Sequence, residues 1–405
     1  MNSPAFPPLA WLSTILWPDE DAHFVTADVA GDRVDASTTW WASPNADEPR
    51  ILVPVAPAPS RTAVRRYHDG QRGRDRLRSL AAEAIVRTKP LARRALDSNR
   101  VVVSGPSDAG LLETLRQELG VDELHAAISL AQPKSNRKPV LQLIDSRGQC
   151  LGYAKVGWNA HTTDLVRNEA GWLTDRPSPP VIAPEVLHVL ELGAQTVVVT
   201  SPVTGSRWPR RRRFTCPIDV VRAVAAMRGR RAVPVSSLAW TTGVLDVLDS
   251  ASPTERSIVG AAIEQVGSEV LEAGAWHGDL TPWNLLTSSR GVGLIDWEFA
   301  AADVPVGFDV CHFHTQVGME LCGLDAPAAL ARAAPLAAGD LARLEQRGAT
   351  ANTVWRLYLV ELARRTFALR SRGFDTTAVY QGPAALALLS AATTVRPGSL
   401  RGDHR

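Results

Sequence analysis

Four polar residues in one short stretch have the types and spacing to do chemistry together. Between Trp276 and Glu298 the chain reads WHGDLTPWNLLTSSRGVGLIDWE, which places His277, Asp279, Asn284 and Asp296 within a single local unit. Asp279 precedes Asn284 by five residues in a loop punctuated by Gly278 and Pro282. Leu285 and Leu286 then run into a Ser288-Ser289-Arg290-Gly291 turn signal, followed by Val292, Leu294 and Ile295. Short apolar runs on either side of such a turn predict a β-hairpin. That hairpin returns Asp296 to the side of Asn284, so that a carboxylate, a carboxamide and a second carboxylate converge at one sheet end. Phosphoryl transfer uses this set: an Asp accepts a hydroxyl proton, and an Asn and an Asp hold Mg²⁺ on a nucleotide.

The chain before this loop carries strand patterns. Leu124–Leu130, Val140–Ile144 and Leu151–Val156 are β-rich runs, the last two joined by an Asp145-Ser146-Arg147-Gly148 turn. Lys155 shares a strand face with Tyr153, away from Ala154 and Val156. A helix follows from Thr162 or Thr163, both suitable N-caps. Glu169 falls inside its apolar stripe of Leu165, Val166, Trp172 and Leu173, where a carboxylate is costly without a partner. Val186–Leu192 and Thr196–Thr200 predict a hairpin about Gly193. Further on, Ser252-Pro253-Thr254-Glu255 is a capping box with Pro at the first helical position. It predicts a helix to about Ala273 that delivers the chain to the polar loop. Helices are expected near 308–321, 326–346, 351–371 and 376–391.

HGDL, TPW, the following Asn and LIDWE together resemble the catalytic and metal loops of the aminoglycoside phosphotransferase and choline kinase-like group, which shares the protein-kinase fold. The resemblance implies an α+β, two-lobed chain: a small antiparallel β-rich N-lobe over 121–202 and a mostly helical C-lobe over 203–400. Residues 1–120 form an N-terminal α/β extension outside it, and the sequence leaves open whether they cap the cleft, bind a partner or extend the upper lobe. The implied activity is transfer of the γ-phosphate of ATP or GTP, with Mg²⁺, to a hydroxyl of a small molecule such as a sugar, an amino alcohol or a similar metabolite. By the same resemblance Asp279 accepts the hydroxyl proton and His277 holds the loop. Asn284 and Asp296 bind the metal, Lys155 paired with Glu169 meets the α and β phosphates, and Asp309 anchors loops. Nucleotide contacts are expected at the hinge near Ser201 and Val203, and Trp283 and Glu298 are placed to line the acceptor site. One departure stands out: the loop Gln132–Pro139 contains no glycine, whereas the kinase loop works by close backbone approach. Lys134 and Lys138, with Arg137, are expected to contact phosphates by side-chain charge instead.

Composition limits the alternatives. The chain has 405 residues, a formal net charge of +2, 45% hydrophobic and 21% charged residues, the profile of a soluble globular protein with no strong global partner. No uncharged apolar run approaches the ~18 residues of a membrane span. The N-terminus lacks the basic region of a signal peptide, so the cytoplasm is the expected location. Cys150, Cys216, Cys311 and Cys322 lack CxxC spacing and are expected to be reduced, buried thiols. Only four of the 44 basic residues are lysines, so a retained Lys signals a need for a compact ammonium. Arginine-rich runs over 61–100 and Arg207–Arg213 read as solvated faces. As an anion surface they fit a second class, an adaptor that binds nucleic acid with steep salt dependence, but a single aromatic residue, Tyr67, interleaves with the first run, too few for a stacking platform. A third class is a nucleotide-binding pseudokinase that regulates a partner. From Trp276 onward there are twelve acidic and twelve basic residues, so charge does not favour a polycationic acceptor. If side-chain charge replaces the glycine-rich loop, a Lys134→Ala/Lys138→Ala variant will bind nucleotide more weakly; unchanged affinity in a titration removes that role.

Overall fold

The structure, a computed structural model, describes residues 8–18, 21–26, 38–68, 99–105, 110–130, 137–175, 177–344, 351–376 and 381–394. They fall into two compact units, one drawn from 3–174 and 184–202, the other from 175–183 and 203–405.

The first unit is built on a nine-stranded sheet in which every pairing is antiparallel. In spatial order its strands are His23–Thr26, Arg100–Ser104, Thr39–Ser43, Ile51–Pro54, Leu124–Leu130, Pro139–Asp145, Cys150–Gly157, Gln195–Thr200 and Val186–Leu192. The expected boundary at 120 therefore does not separate two bodies. Ile51 and Leu52 pair with Ser129 and Ile128, so the N-terminal strands extend the same sheet. The strand Leu124–Leu130 is buried along nearly its whole length, and without them it would present an unpaired apolar edge.

The N-terminal tryptophans pack as their apolar surface requires. Trp11, Leu12, Ile15 and Leu16 of the helix Pro8–Leu16 join Leu141, Leu143, Ala154, Val156, Val197 and Val199 in one core. Trp40 is buried and donates its Nε1–H to the Ala126 carbonyl at 2.7 Å. After the strand Ile51–Pro54 the chain opens the helix Pro57–His68 on a proline, which is favoured at a first helical position. The helix Leu111–Glu118 precedes the strand Leu124–Leu130 in the chain, and most of the arginine-rich run 61–100 lies outside the described residues.

One close approach sets the geometry beyond the strand Cys150–Gly157. The helix Ala160–Thr174 starts at Asn159, not at Thr162 or Thr163: Asn159 Oδ1 accepts the Thr162 N–H at 2.9 Å, and its carbonyl accepts the Thr163 N–H at 2.8 Å. Thr162 instead turns its hydroxyl back to the N–H groups of Trp158 and Asn159 at 3.0 and 3.2 Å.

The second unit holds most of the helices and two small sheets. One sheet runs Ser206–Arg207, Leu285–Ser288, Gly291–Leu294, Val181–Ile182, the last pairing being parallel. The other runs Arg231–Pro234, Val270–Trp276, Ala301–Pro305. The capping box at Ser252 forms as expected, with Glu255 N–H on the Ser252 hydroxyl and Ser252 N–H on the Glu255 carboxylate. Its helix ends at Glu264, however, and the segment expected to continue it is the strand Val270–Trp276. A short apolar run fits either state, and here antiparallel partners on both sides claim its backbone. The C-terminal helices are Phe308–Gln316, Ala326–Ala342, Ala351–Arg370 and Gly382–Thr394. Of the cysteines, Cys216 and Cys311 are buried as expected and Cys322 is exposed. Among the described residues no helix is long and apolar enough to cross a membrane.

Gly157 is where strand and helix meet: a Cβ there would lie 2.6 Å from Thr163 Cα and 2.8 Å from Thr163 N, both backbone atoms that cannot swing away. Gly157→Ala is expected to cost about 1–3 kcal/mol of stability by overpacking, read from denaturant unfolding; a change below about 0.5 kcal/mol would show that the helix start shifts freely.

Candidate active site

The strand Val270–Trp276 is buried at its C-terminal end and releases the chain at His277. There the backbone loses its sheet partners. The N–H groups of His277 and Gly278 both donate to the Asp309 carboxylate, at 2.8 and 3.1 Å. Asp309 opens the helix Phe308–Gln316, where a helix N-terminus also favours a carboxylate. Burial pushes its carboxyl up to about 7, against the pull of the two amides and Arg365. Gly278 turns with φ +80°, and a Cβ on it would lie 2.2 Å from the Phe299 carbonyl oxygen, so only glycine fits.

His277 is fully buried, with its ring 4.8 Å from Trp297 in an edge-on contact. Its Nδ1 accepts the Asp279 N–H at 3.3 Å, so the neutral ring carries its proton on Nε2. Burial pushes this imidazole down to about 4, against the carboxylates of Asp279 and Asp296. The residue is a neutral brace for the loop.

Asp279 and Asn284 are brought together as the spacing predicts. Asn284 Nδ2 donates to the Asp279 backbone carbonyl and to Asp279 Oδ2, each at 2.9 Å. Both bonds use the amide nitrogen, which leaves Asn284 Oδ1, a hard oxygen, for a ligand. The predicted hairpin forms, with Leu285 opposite Leu294, and the Ile295 N–H donates to the Asn284 carbonyl at 3.1 Å. Asp296 follows at once, in a left-handed conformation with φ 72°. Such a conformation is unfavourable for a non-glycine residue and accumulates at functional sites. Glu298, expected at the acceptor site, is buried, and a carboxylate oxygen of it and one of Asp296 lie within 4.8 Å of each other. Trp283 stands on the exposed side of the loop, 37% accessible.

Three supporting groups have no local signal in the sequence. Arg365, on the helix Ala351–Arg370, donates from Nη2 to the Gly278 carbonyl at 2.9 Å. Its guanidinium stacks over Trp276 at 4.7 Å and Phe299 at 5.3 Å. Glu361, fully buried, aligns it through a 2.8 Å bond to Arg365 Nε. Burial alone would push Glu361 up, but Arg364, Arg365 and Trp240 outweigh it and hold the carboxyl at about 2. His312 meets the Asp279 side chain: Nε2 is 3.0 Å from Asp279 Oδ1.

In the β-rich unit, Lys155 and Glu169 form the expected pair. Lys155 Nζ lies 2.7 and 2.6 Å from the two Glu169 oxygens, and the Glu169 side chain is 2% exposed. Lys138 is buried, and strand alternation places it on the side of Val140, the partner of Lys155. Lys134 lies outside the described residues. Arg137 is corrected: its guanidinium sits 4.1 Å over Trp11, in the core that holds Ala154 and Val156, on the sheet face away from Lys155. Alternation decides this, since Ala154 and Lys155 point to opposite sides. Ser201 spends its N–H on the Glu185 carbonyl at 2.8 Å and accepts the Glu185 N–H with its hydroxyl at 2.9 Å. Val203 is buried in the helical unit, where its Cγ1 closes over Gly293. Arg210, Arg211 and Arg212 form an exposed 3₁₀ turn, the solvated run expected, while Trp208 beneath them is buried and donates to the Arg212 carbonyl at 3.0 Å.

Residues 205–346, which carry the whole loop, the hairpin, Asp309 and His312, match the sequence model described as the phosphotransferase enzyme family. Over those residues the chain is similar to that family. Among solved structures it is similar to a thermostable mutant of aminoglycoside phosphotransferase APH(4)-Ia, at 14% identity and TM-score 0.44, covering 71% of this chain and 100% of that one. It is also similar to choline kinase LicA from Streptococcus pneumoniae, at 11% identity and TM-score 0.42, over 69% and 97% of the two chains. A putative fructosamine-3-kinase from Haemophilus somnus 129PT shows 9% identity and TM-score 0.40, over 69% and 96%. None of the curated proteins compared matches the chain.

The buried, depressed His277 gives a pH test. Its folded value of about 4 lies below the ordinary 6.5, so folding disfavours its proton and stability falls as pH drops from 6.5 toward 4. Between pH 7.5 and pH 5 the stability advantage of the wild type over His277→Gln should shrink by about 2 kcal/mol. A gap that stays constant in parallel chemical denaturations would show that His277 does not resist protonation.

Proposed function

We propose that the protein is a nucleoside-triphosphate- and magnesium-dependent phosphotransferase that moves a γ-phosphate to a hydroxyl of a small molecule. The reading rests on one observation above the others: Asp279 is held at both carboxylate oxygens beside Asn284, and a hairpin delivers Asp296 to the same place. The match over residues 205–346 supports the reaction class. Acceptors of the sugar, amino-alcohol or related metabolite type are the ones proposed.

The donor set fits a hard divalent cation. Asn284 contributes Oδ1, Asp296 a carboxylate, and Glu298 a second carboxylate close to it. Few protein oxygens, with phosphate oxygens completing the shell, suit Mg²⁺. Bound there, the ion would neutralise charge on the transferred phosphoryl group. Lys155, braced by Glu169, supplies a compact ammonium for the nucleotide phosphates. Asp279 orients the acceptor hydroxyl and takes its proton as the new bond from that oxygen to the γ-phosphorus forms, while the bond from the γ-phosphorus to the bridging oxygen breaks and the nucleoside diphosphate leaves. A loose transition state asks little of the base early on, so positioning matters more than basicity. His277 and Asp309 do no chemistry; they hold the backbone on which Asp279 stands.

Two measurements test this. Nucleotide affinity should be magnesium-dependent in the wild type, and Asp296→Ala should lower it at least tenfold in the presence of the metal; binding indifferent to Mg²⁺ would overturn the assignment. Asp279→Asn should lower kcat by roughly 10²–10⁴-fold, the usual range for a general base, with nucleotide affinity within about threefold of wild type. Retained turnover would remove Asp279 from its role.

A further inference from the structure

We propose that His312 is the positioning residue that aims Asp279 at its acceptor, through a buried Tyr358–His312–Asp279 chain; the proposal rests on the phosphotransferase reading. The helix Phe308–Gln316 carries Asp309 and, three residues on, His312 on the same face. One helix thus reaches the loop twice. Asp309 holds its backbone, and His312 holds the side chain that does the chemistry.

The hydrogen-bond directions follow from elementary chemistry. An ionised carboxylate only accepts, so the 3.0 Å contact requires a proton on His312 Nε2. Nδ1 of the neutral ring is then an acceptor, and the Tyr358 hydroxyl, 3.2 Å away, donates to it. His312 is 2% exposed and Tyr358 fully buried, so neither bond exchanges readily with water. Burial pushes the His312 imidazole down, while Asp279 and Glu361 pull it up and Arg365 pushes it down further; the net direction keeps the ring neutral. Burial likewise pushes the Tyr358 hydroxyl up, which keeps it a donor.

The consequence falls on Asp279. Oδ1 is tied to His312 and Oδ2 to Asn284, so rotation of the carboxylate about its Cβ–Cγ bond is blocked from both ends. About a quarter of the side chain remains exposed, and the lone pairs there are the ones a hydroxyl meets. A purely structural residue at 312 would be apolar: it packs edge-on against the Tyr358 ring, and a buried imidazole carries a desolvation cost that leucine or phenylalanine avoids.

The test separates positioning from packing. A glutamine amide nitrogen reaches about as far as imidazole Nε2, whereas an asparagine amide reaches only as far as Nδ1. His312→Leu should lower kcat about 10²-fold, the scale of a misplacement near 1 Å, with the nucleotide KM within about twofold. His312→Gln should recover kcat to within about tenfold of wild type, and His312→Asn should stay with the leucine variant. Thermal unfolding of each variant excludes loss of fold as the cause, and ¹⁵N NMR of the wild-type imidazole should show the neutral Nε2–H tautomer. Equal kcat for the glutamine and asparagine variants, wild-type kcat in His312→Leu, or an Nδ1–H tautomer would overturn the proposal. A wild type that transfers no phosphate to any acceptor would instead fail the phosphotransferase reading, and this proposal with it.

Discussion

The N–H groups of His277 and Gly278 leave the end of a buried strand without sheet partners, and the Asp309 carboxylate takes both. An unsatisfied buried donor costs about 1–3 kcal/mol, so the polar loop has one inexpensive way to leave this sheet. Once the two amides are held, Gly278 must turn left-handed under the Phe299 carbonyl, and its own carbonyl meets Arg365. The position of Asp279 follows from that turn. Phosphoryl transfer gains mostly from positioning and charge placement, so the stiffness of this backbone is part of the chemistry.

Much of the support comes from far along the chain. Tyr358, Glu361 and Arg365 stand at three- and four-residue spacing on the helix Ala351–Arg370, which puts them on one face. Tyr358 reaches His312, Glu361 aligns Arg365, and Arg365 closes on the loop backbone. Each of these groups is expensive to bury alone. Together they satisfy one another, which is the condition under which buried polar networks specify a single arrangement.

The β-rich unit solves a similar problem with fewer parts. Glu169 is buried on a helix whose approach is fixed by the bare Cα of Gly157. A buried carboxylate needs a close cation, and Lys155 meets both of its oxygens. The N-terminal residues matter to this unit because they continue its sheet and fill its core: Trp11, Leu12 and Ile15 cover one face, and Ile51 and Leu52 pair with the first strand of the β-rich run. A role as a separate module for residues 1–120 is therefore not what the described segments display.

Local order wrote most of the site into the sequence. The spacing of Asp279, Asn284 and Asp296 about a turn signal was enough to predict the hairpin and its convergence, because those contacts span few residues. The family resemblance paired Lys155 with Glu169, and the scarcity of lysine and a carboxylate set in an apolar stripe supported the pairing. The capping box and the C-terminal helices were legible for the same reason, since caps and periodicity are local. Where tertiary contacts compete with local preference, the reading changed. Val270–Trp276 became a strand because two neighbours claimed its backbone, and Arg137 turned toward Trp11 because strand alternation left it on the core face. His312 and Arg365 carry no local pattern at all, as each acts on a residue at least 33 positions away. By itself the sequence determined which groups could do chemistry. Only the folded chain decided which way they face, because orientation is set by buried hydrogen bonds between distant elements.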